Sequence, residues 1–331
     1  MTFSTTELSA ALGTPVTAVE VIDTFAASSA DVARLLVRSA DGSGRTVIAK
    51  HATGPGVAAA RREIRFFAEL APQWDHPAPQ LLGAIDPGGD GPVLLVSEDL
   101  LAAGYRIVGA EVSDEQLYGA IDALAGLHAH FWNDVSGAPE LEPSATSSAQ
   151  AWPPEVITRQ AAAVRREADR FFAEAAELDD AERATIDEVL EAWERQFKAR
   201  VAGGRAITLI HGDFHFLGNV FFTGSDPRPK VIDWSELKPG LGPHDLAYCL
   251  SVVPSDDRPS RDRELLRYYW KALGVPDYSW DLCWWDFRFA LFSNLFQSVF
   301  QHSVRWYRTS LAAIDALDAR TALTEPLPLA R

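Results

Sequence analysis

The sequence predicts an α+β chain of two lobes, a small mixed β-sheet with one helix over residues 1–97 and a larger, mainly helical lobe over residues 98–331. Three observations carry this expectation. Strand-type segments and turn residues crowd the first hundred positions. Helical periodicity dominates the remainder. One β-rich island, built around LIHGDFHFLGNVFF (Leu209–Phe222), interrupts the helices. At 331 residues with 47% hydrophobic composition, the chain is long enough for two such lobes, each with a core.

Taken in order, VTAVEVIDTF and VARLLVRSA are β-rich, DGSG (Asp41–Gly44) is a hairpin turn, and RTVIAK resumes a strand that ends at Lys50. Gly54, Pro55 and Gly56 then break the chain. VAAARREIRFFAEL follows with helical spacing and places Ile64, Phe67 and Leu70 on one face. HPAPQLLGAID, PGGDGP and VLLVSEDL read as strand, turn and strand, closing the small sheet near Leu100. Beyond it, Asp114–Trp132 is an amphipathic helix with Leu117, Ile121, Leu124 and Leu127 at helical spacing. A Pro-, Ser- and Ala-rich loop spans Gly137–Pro154. Two charged helices come next, Glu155–Leu178 and Asp180–Val201, with the Asp179–Asp180 pair as the cap between them. After Asp245 the chain returns to helices. The aromatic run Tyr278–Gln301 among them has the spacing of a helix that makes core.

Composition excludes several classes. With 46 acidic and 30 basic residues the net charge is −16, which is unsuited to general nucleic-acid binding because phosphate contacts need clustered Lys and Arg. Two distant cysteines, Cys249 and Cys283, supply neither a disulfide framework nor zinc-ribbon spacing. No apolar run approaches the roughly 20 residues that cross a bilayer. The opening MTFSTTELSAALG has no basic n-region and no apolar h-region. A cytoplasmic protein is expected, with no membrane contact and no obligate protein partner.

Chemistry concentrates in the β-rich island. Asp213 follows one short apolar strand and Asp233, in VIDW, follows another, with Asn219 between them. Such an all-oxygen set suits a hard cation such as Mg²⁺, and phosphoryl transfer needs both a metal cluster and a carboxylate that orients the attacking hydroxyl. Upstream, Lys50 ends a strand and Glu63 lies thirteen residues later in a helix, the pairing that aims an ammonium at nucleotide phosphates. The triplet His211–Asp213–His215 also admits a metal-hydrolase reading. That reading leaves the lysine–glutamate pair unexplained and finds no further His/Asp pair nearby.

The ordered set Lys50, Glu63, Asp213, Asn219 and Asp233 resembles the aminoglycoside phosphotransferase and choline kinase-like superfamily, including its ecdysteroid kinase-like branch, which has a protein-kinase-like fold. The likeness runs from about residue 20 to residue 260. LIHGDFHFLGN resembles its catalytic loop, VIDW its metal-binding motif, DLAY its downstream aspartate motif, and LLVSEDL (Leu94–Leu100) its inter-lobe hinge. The resemblance implies ATP and Mg²⁺ as cofactors and transfer of the γ-phosphoryl group to a hydroxyl of an antibiotic, amino sugar, amino alcohol or similar small molecule. It makes Asp213 the residue that positions or deprotonates that hydroxyl, and Asn219 and Asp233 the metal ligands. Lys50 and Glu63 would orient the phosphates, Ser28 and Ser29 would cover them, and the backbone of Ser97 and Asp99 would meet the adenine. His211 and Asp245 would support the loop. Glu236, Asp281 and Trp284 are the acceptor-side candidates.

Two departures set limits on this expectation. Asn219 stands six residues after Asp213 where the family pattern has five, and Ser28–Ser29 replace a glycine-rich covering loop. Both features also suit a catalytically weak, pseudokinase-like protein that binds nucleotide or another ligand.

Overall fold

Residues 3–27, 29–135, 153–224 and 226–328 are described by the computed structural model. A five-stranded sheet forms from β1 (Val16–Phe25), β2 (Asp31–Ser39), β3 (Gly44–Ala52), β4 (Leu81–Ile85) and β5 (Val93–Glu98), in the order β1-β2-β3-β5-β4. Alternation decides its faces: Ala33, Leu35, Val37, Val47 and Ala49 are buried on one side, with Leu94 and Val96. Full burial of each leucine or valine contributes about 1.5–3 kcal/mol. The DGSG turn closes β2 onto β3, and Asp41 Oδ1 accepts from the Ser43 N–H and hydroxyl at 2.9 and 2.6 Å.

The sheet differs from the expected mixed one, since all four of its pairings are antiparallel. The crossover helix α2 (Gly56–Arg65) does join two strands of like direction, β3 and β4, but β5 inserts between them and pairs antiparallel to both. A second helix also belongs here. The chain opens with α1 (Thr5–Leu12), whose Ser4–Glu7 capping box is intact, and Leu8 packs into the Leu35–Val47 face. Gly83 in β4 permits the approach, because a Cβ there would stand 1.8 Å from the Ala11 carbonyl oxygen. On the opposite face Val57 and Ala60 of α2 pack with Ala52, Val93 and Leu95.

The buried side of α2 also departs from the periodicity reading. Glu63 and Phe66 are buried with Leu70, while Ile64 and Phe67 are half-buried. A π-helical turn over Phe66–Leu70 continues the helix and shifts its register.

Internal contacts group the chain into two compact units. One holds Met1–Val108 and Gly218–Leu237, the other Gly109–Leu217 and Lys238–Arg331. The first unit therefore adds a three-stranded ribbon of β6 (Arg106–Ile107), β8 (Val220–Thr223) and β9 (Asp226–Val231). The second is helical: α3 (Asp114–His130), α4 (Pro154–Glu174), α5 (Asp180–Val201), α6 (Pro243–Ser251), α7 (Arg258–Leu273), α8 (Trp280–Phe300) and α9 (Val304–Ala316). A small ribbon pairs its β7 (Thr208–Ile210) with β10 (Lys238–Gly240). Asp179 caps α5 by accepting from the Glu182 N–H at 2.8 Å. The aromatic helix α8 is core on nearly every side. Residues 137–152 of the expected Pro/Ser/Ala loop lie outside the described residues.

Candidate active site

In the first unit, β3 delivers Lys50 and α2 delivers Glu63, whose Oε2 lies 2.8 Å from Lys50 Nζ. The same ammonium lies 2.8 Å from Asp233 Oδ1, just beyond β9. The three residues, 183 positions apart at the extremes, thus form one network. Burial works against the Lys50 charge, but the Glu63 and then the Asp233 carboxylates outweigh it and raise the lysine's pKa. Glu63 is buried. Desolvation raises its pKa, opposed by Lys50 and by a hydrogen bond from the Trp234 backbone N–H. Asp233 keeps 38% of its side chain exposed, against 14% for Lys50 and 10% for Glu63. The carboxylate is the member of the network that reaches solvent.

The turn after β9 presents that carboxylate. Asp233 has a left-handed backbone (φ 61°, ψ 63°), a conformation aspartate tolerates better than most residues, and its Oδ1 also accepts from the Ser235 hydroxyl at 2.8 Å. Contacts from α2 and its π turn hold this segment, among them the Glu63 bond to the Trp234 N–H, Arg62 Nε donating to the Ser235 carbonyl at 2.7 Å, and Phe66 stacked on Trp234 at 4.1 Å and 4°. Sequence reasoning missed Arg62, Phe66 and Trp234. The tryptophan beside Asp233 in VIDW was the available signal.

Asn219 is buried, and its carbonyl accepts from the Ile232 N–H at 3.0 Å, extending the Val220–Val231 pairing of β8 with β9. Cross-strand register therefore sets Asn219 opposite Ile232, one residue before Asp233. A carboxylate and an amide oxygen at one end of a hairpin fit a hard divalent cation. Across the six-residue interval, residues 216–219 form a turn, and the left-handed glycine of the loop is Gly212 (φ 83°).

The nucleotide-facing candidates are distributed as follows. Ser28 lies outside the described residues. Ser29 sits on the α2 N-terminus, where a Cβ on Gly56 would stand 1.7 Å from its carbonyl oxygen. Ser97 lies inside the sheet, flanked by Ile48 of β3 and Leu81 of β4. Asp99 is just beyond β5 and buried. Burial opposes its charge, yet hydrogen bonds from Thr46 and Arg34 hold its pKa below the ordinary carboxylate value.

In the second unit, Asp213 accepts a hydrogen bond from the Tyr248 hydroxyl at 2.9 Å and lies 3.8 Å from His215 Nε2. His211 is fully buried, and its Nδ1 accepts from the Asp213 N–H at 3.2 Å. Asp245, on α6, accepts from the His211 and Gly212 N–H groups at 2.6 and 2.9 Å, and stands 3.2 Å from His128 Nε2. His128 in turn meets the Tyr269 hydroxyl at 2.8 Å. Burial alone would raise the Asp245 pKa, but the His128 hydrogen bond and charge depress it to about 2. Tyr248, which directly follows DLA, is a further residue that sequence reasoning left without a role. Among the described residues no three His, Cys, Asp or Glu side chains form a metal-holding group, so the hydrolase reading finds no cluster.

The acceptor-side candidates fall in both units. Glu236 belongs to the first unit and lies 3.5 Å from Arg62. Asp281 is exposed in the first turn of α8. Trp284 is built into an arginine–aromatic array on α7 and α8, with Arg263 and Arg288 over its ring and Trp280 stacked at 6.1 Å.

The sequence model of the phosphotransferase enzyme family (APH) matches residues 24–280. The chain belongs to this family. Such a phosphotransferase is a small-molecule kinase. Solved structures show the fold to be the α+β, protein-kinase-like one. This phosphotransferase is similar to the aminoglycoside phosphotransferase APH(3'')-Id from Streptomyces rimosus, solved with ADP and streptomycin, at 21% identity over 80% of this chain and 90% of that one, with a TM-score of 0.51. It is also similar to a microcompartment-associated aminopropanol kinase, at 14% identity, 92% and 90% coverage and a TM-score of 0.54. A variant of aminoglycoside 2'-phosphotransferase-IIIa in complex with GDP gives 14%, 92%, 93% and 0.51. A search of curated proteins found no match. Among the described residues no helix is long and apolar enough to cross a membrane.

Proposed function

We propose that the protein moves the γ-phosphoryl group of ATP, with Mg²⁺, to a hydroxyl of a small molecule. The observation that carries this reading is the Lys50–Glu63–Asp233 network, in which a buried ammonium is held between an enclosed and a partly exposed carboxylate. Glu63 keeps Lys50 charged and aimed, and Lys50 binds the α- and β-phosphates. Asp233 and Asn219 would hold Mg²⁺, which when bound neutralises phosphate oxygens. Ser29 and the backbone near Asp99 would meet the nucleotide. Asp213 orients the acceptor hydroxyl and takes its proton as the new P–O bond forms and ADP departs, while Asp245 and His211 keep the loop in shape through the bonds described above. Nucleotides in the solved relatives, ADP in one and GDP in another, support a nucleotide donor.

The test pairs two variants in isothermal titration with Mg·ATP and in an ADP-release assay against a library of hydroxyl compounds. Asp213→Asn should keep nucleotide affinity within about threefold and lower turnover by two orders of magnitude or more, on the order of general-base loss. Asp233→Ala should instead weaken Mg·ATP binding at least tenfold, about 1.4 kcal/mol. Undiminished turnover in Asp213→Asn, with every acceptor the wild type uses, contradicts the assignment.

A further inference from the structure

Asp245 and Tyr248 stand three residues apart on α6, on one face of the helix, and both reach the loop that carries Asp213. Asp245 holds the backbone of that loop through the His211 and Gly212 N–H groups at 2.6 and 2.9 Å. Tyr248 holds its side chain, since the hydroxyl donates to Asp213 Oδ1 at 2.9 Å. A hydrogen bond to a carboxylate is charge-assisted and roughly twice as strong as one between neutral groups.

The ring that carries this hydroxyl is itself confined. His244 stacks on it at 6.1 Å and 23°, Trp306 of α9 meets it edge-on at 5.8 Å, and His215 stands at 6.1 Å. A hydroxyl on such a ring has few positions to occupy, so its bond fixes where Oδ1 lies. The plane of the carboxylate follows, although the last side-chain torsion of an aspartate is broad and selects no single plane alone. Stability does not require the contact. Asp213 keeps 31% of its side chain exposed, so water would solvate the carboxylate if the phenol were absent. What the bond adds is orientation.

We propose that Tyr248 is a positioning residue for phosphoryl transfer, setting the orientation in which Asp213 meets the acceptor hydroxyl. The inference rests on the reading of Asp213 as the group that receives that hydroxyl's proton. In the transfer step the proton passes to Asp213, the acceptor oxygen bonds to the γ-phosphorus, and the bond from that phosphorus to the ADP oxygen breaks. Tyr248 keeps its own proton throughout. Misorientation of a reacting group slows the chemical step and leaves nucleotide binding alone, so the effect belongs in kcat.

The experiment is steady-state kinetics on the full chain with Mg·ATP, with water as one acceptor probe and streptomycin as the other. NMR of protein carrying isotope-labelled tyrosine Cζ adds an arm that needs no acceptor. Tyr248→Phe, which keeps the ring and loses only the hydroxyl, should lower kcat about tenfold or more and leave the KM for Mg·ATP within about twofold. On top of Asp213→Ala the same change should cost less than about twofold, because the tyrosine acts through that carboxylate. Ser251→Ala is the control: Ser251 Oγ donates to the Tyr248 carbonyl at 2.7 Å, so the variant disturbs the same turn and spares the hydroxyl. Its kcat should stay within about twofold of the wild type. Urea midpoints of each variant show whether the fold is retained. The Tyr248 Cζ signal, identified by its loss in Tyr248→Phe, should move in Asp213→Ala. An unchanged kcat in Tyr248→Phe overturns the proposal, as do an equal fall in Ser251→Ala, a full further fall in the double variant, or a Tyr248 signal indifferent to Asp213→Ala. Undiminished turnover in Asp213→Ala would remove the reading of Asp213 and the inference with it. Turnover lost in Asp213→Ala but unaltered in Tyr248→Phe would remove the inference alone.

Discussion

Asp233 in the first unit and Asp245 in the second are each held by a basic side chain, yet one keeps 38% of its side chain exposed and the other none. Asp245 is taken up entirely by its surroundings, with two backbone N–H groups of the Asp213 loop and one imidazole around its two oxygens. Asp233 shares Lys50 and Ser235 and still reaches the surface from a left-handed turn. The same residue type therefore shapes a loop in one unit and presents charge in the other. Solvent access, together with what saturates the oxygens, makes the difference.

The sharpest way to break this comparison is to neutralise each aspartate in turn. Asp245→Asn leaves His128 and two loop amides facing a weaker partner in a sealed environment. It should cost about 3–5 kcal/mol, the range for removing one member of a buried charged pair. Asp233→Asn should change stability by no more than about 1 kcal/mol, because the site is solvated and asparagine also tolerates φ 61°. Urea denaturation of both variants checks it, and equal losses would erase the distinction.

A smaller effect lies in acid. The His244 pKa is lowered from 6.5 to about 4, so the unfolded chain binds a proton that the folded chain refuses. Stability attributable to this residue is complete above pH 6.5 and declines as pH falls toward 4, by up to roughly 3 kcal/mol. Asp245, with its pKa lowered to about 2, adds a further loss below about pH 4. Unfolding midpoints from pH 7 to 4 should fall less steeply in His244→Asn than in the wild type, and parallel slopes would show that His244 is not buried neutral.

Arg62 provides the mildest probe. Arg62→Ala removes the bond to the Ser235 carbonyl while Glu63 and Phe66 still hold the turn. About 1 kcal/mol of stability should be lost. The KM for Mg·ATP should rise about three- to tenfold with kcat nearly unchanged, which steady-state kinetics at saturating acceptor would read. A fall in kcat alone would place Arg62 elsewhere in the cycle.

Much of this was legible because local chemistry fixed it. The DGSG turn, the Asp179 cap and the alternation in β2 and β3 act over a few residues, and each formed where expected. Lys50, Glu63 and Asp233 could be grouped because their residue types and order follow a known pattern. Other features were hidden for physical reasons. Glu63 and Phe66 are buried on a helix whose apolar spacing pointed to Ile64 and Phe67, since a charge can be enclosed once Lys50 pairs with it. The α1 helix was missed although Ser4 and Glu7 spell a capping box, because its single fully buried side chain, Leu8, leaves little periodic signal.

By itself the sequence determined most of the segments that become strand, turn or helix, and it supplied an ordered set of acids and a lysine suited to phosphoryl transfer. Periods of two and 3.6 residues and local hydrogen bonds are written in neighbouring positions. Tertiary structure alone decided that Gly218–Leu237 joins the first unit, that one Lys50 ammonium meets two carboxylates, and that Tyr248 sits on Asp213. Those contacts depend on how β5 inserts between β3 and β4 and how α6 meets the Asp213 loop. Packing sets such long-range geometry by burying surface that lies far apart in the chain, and no local pattern encodes it.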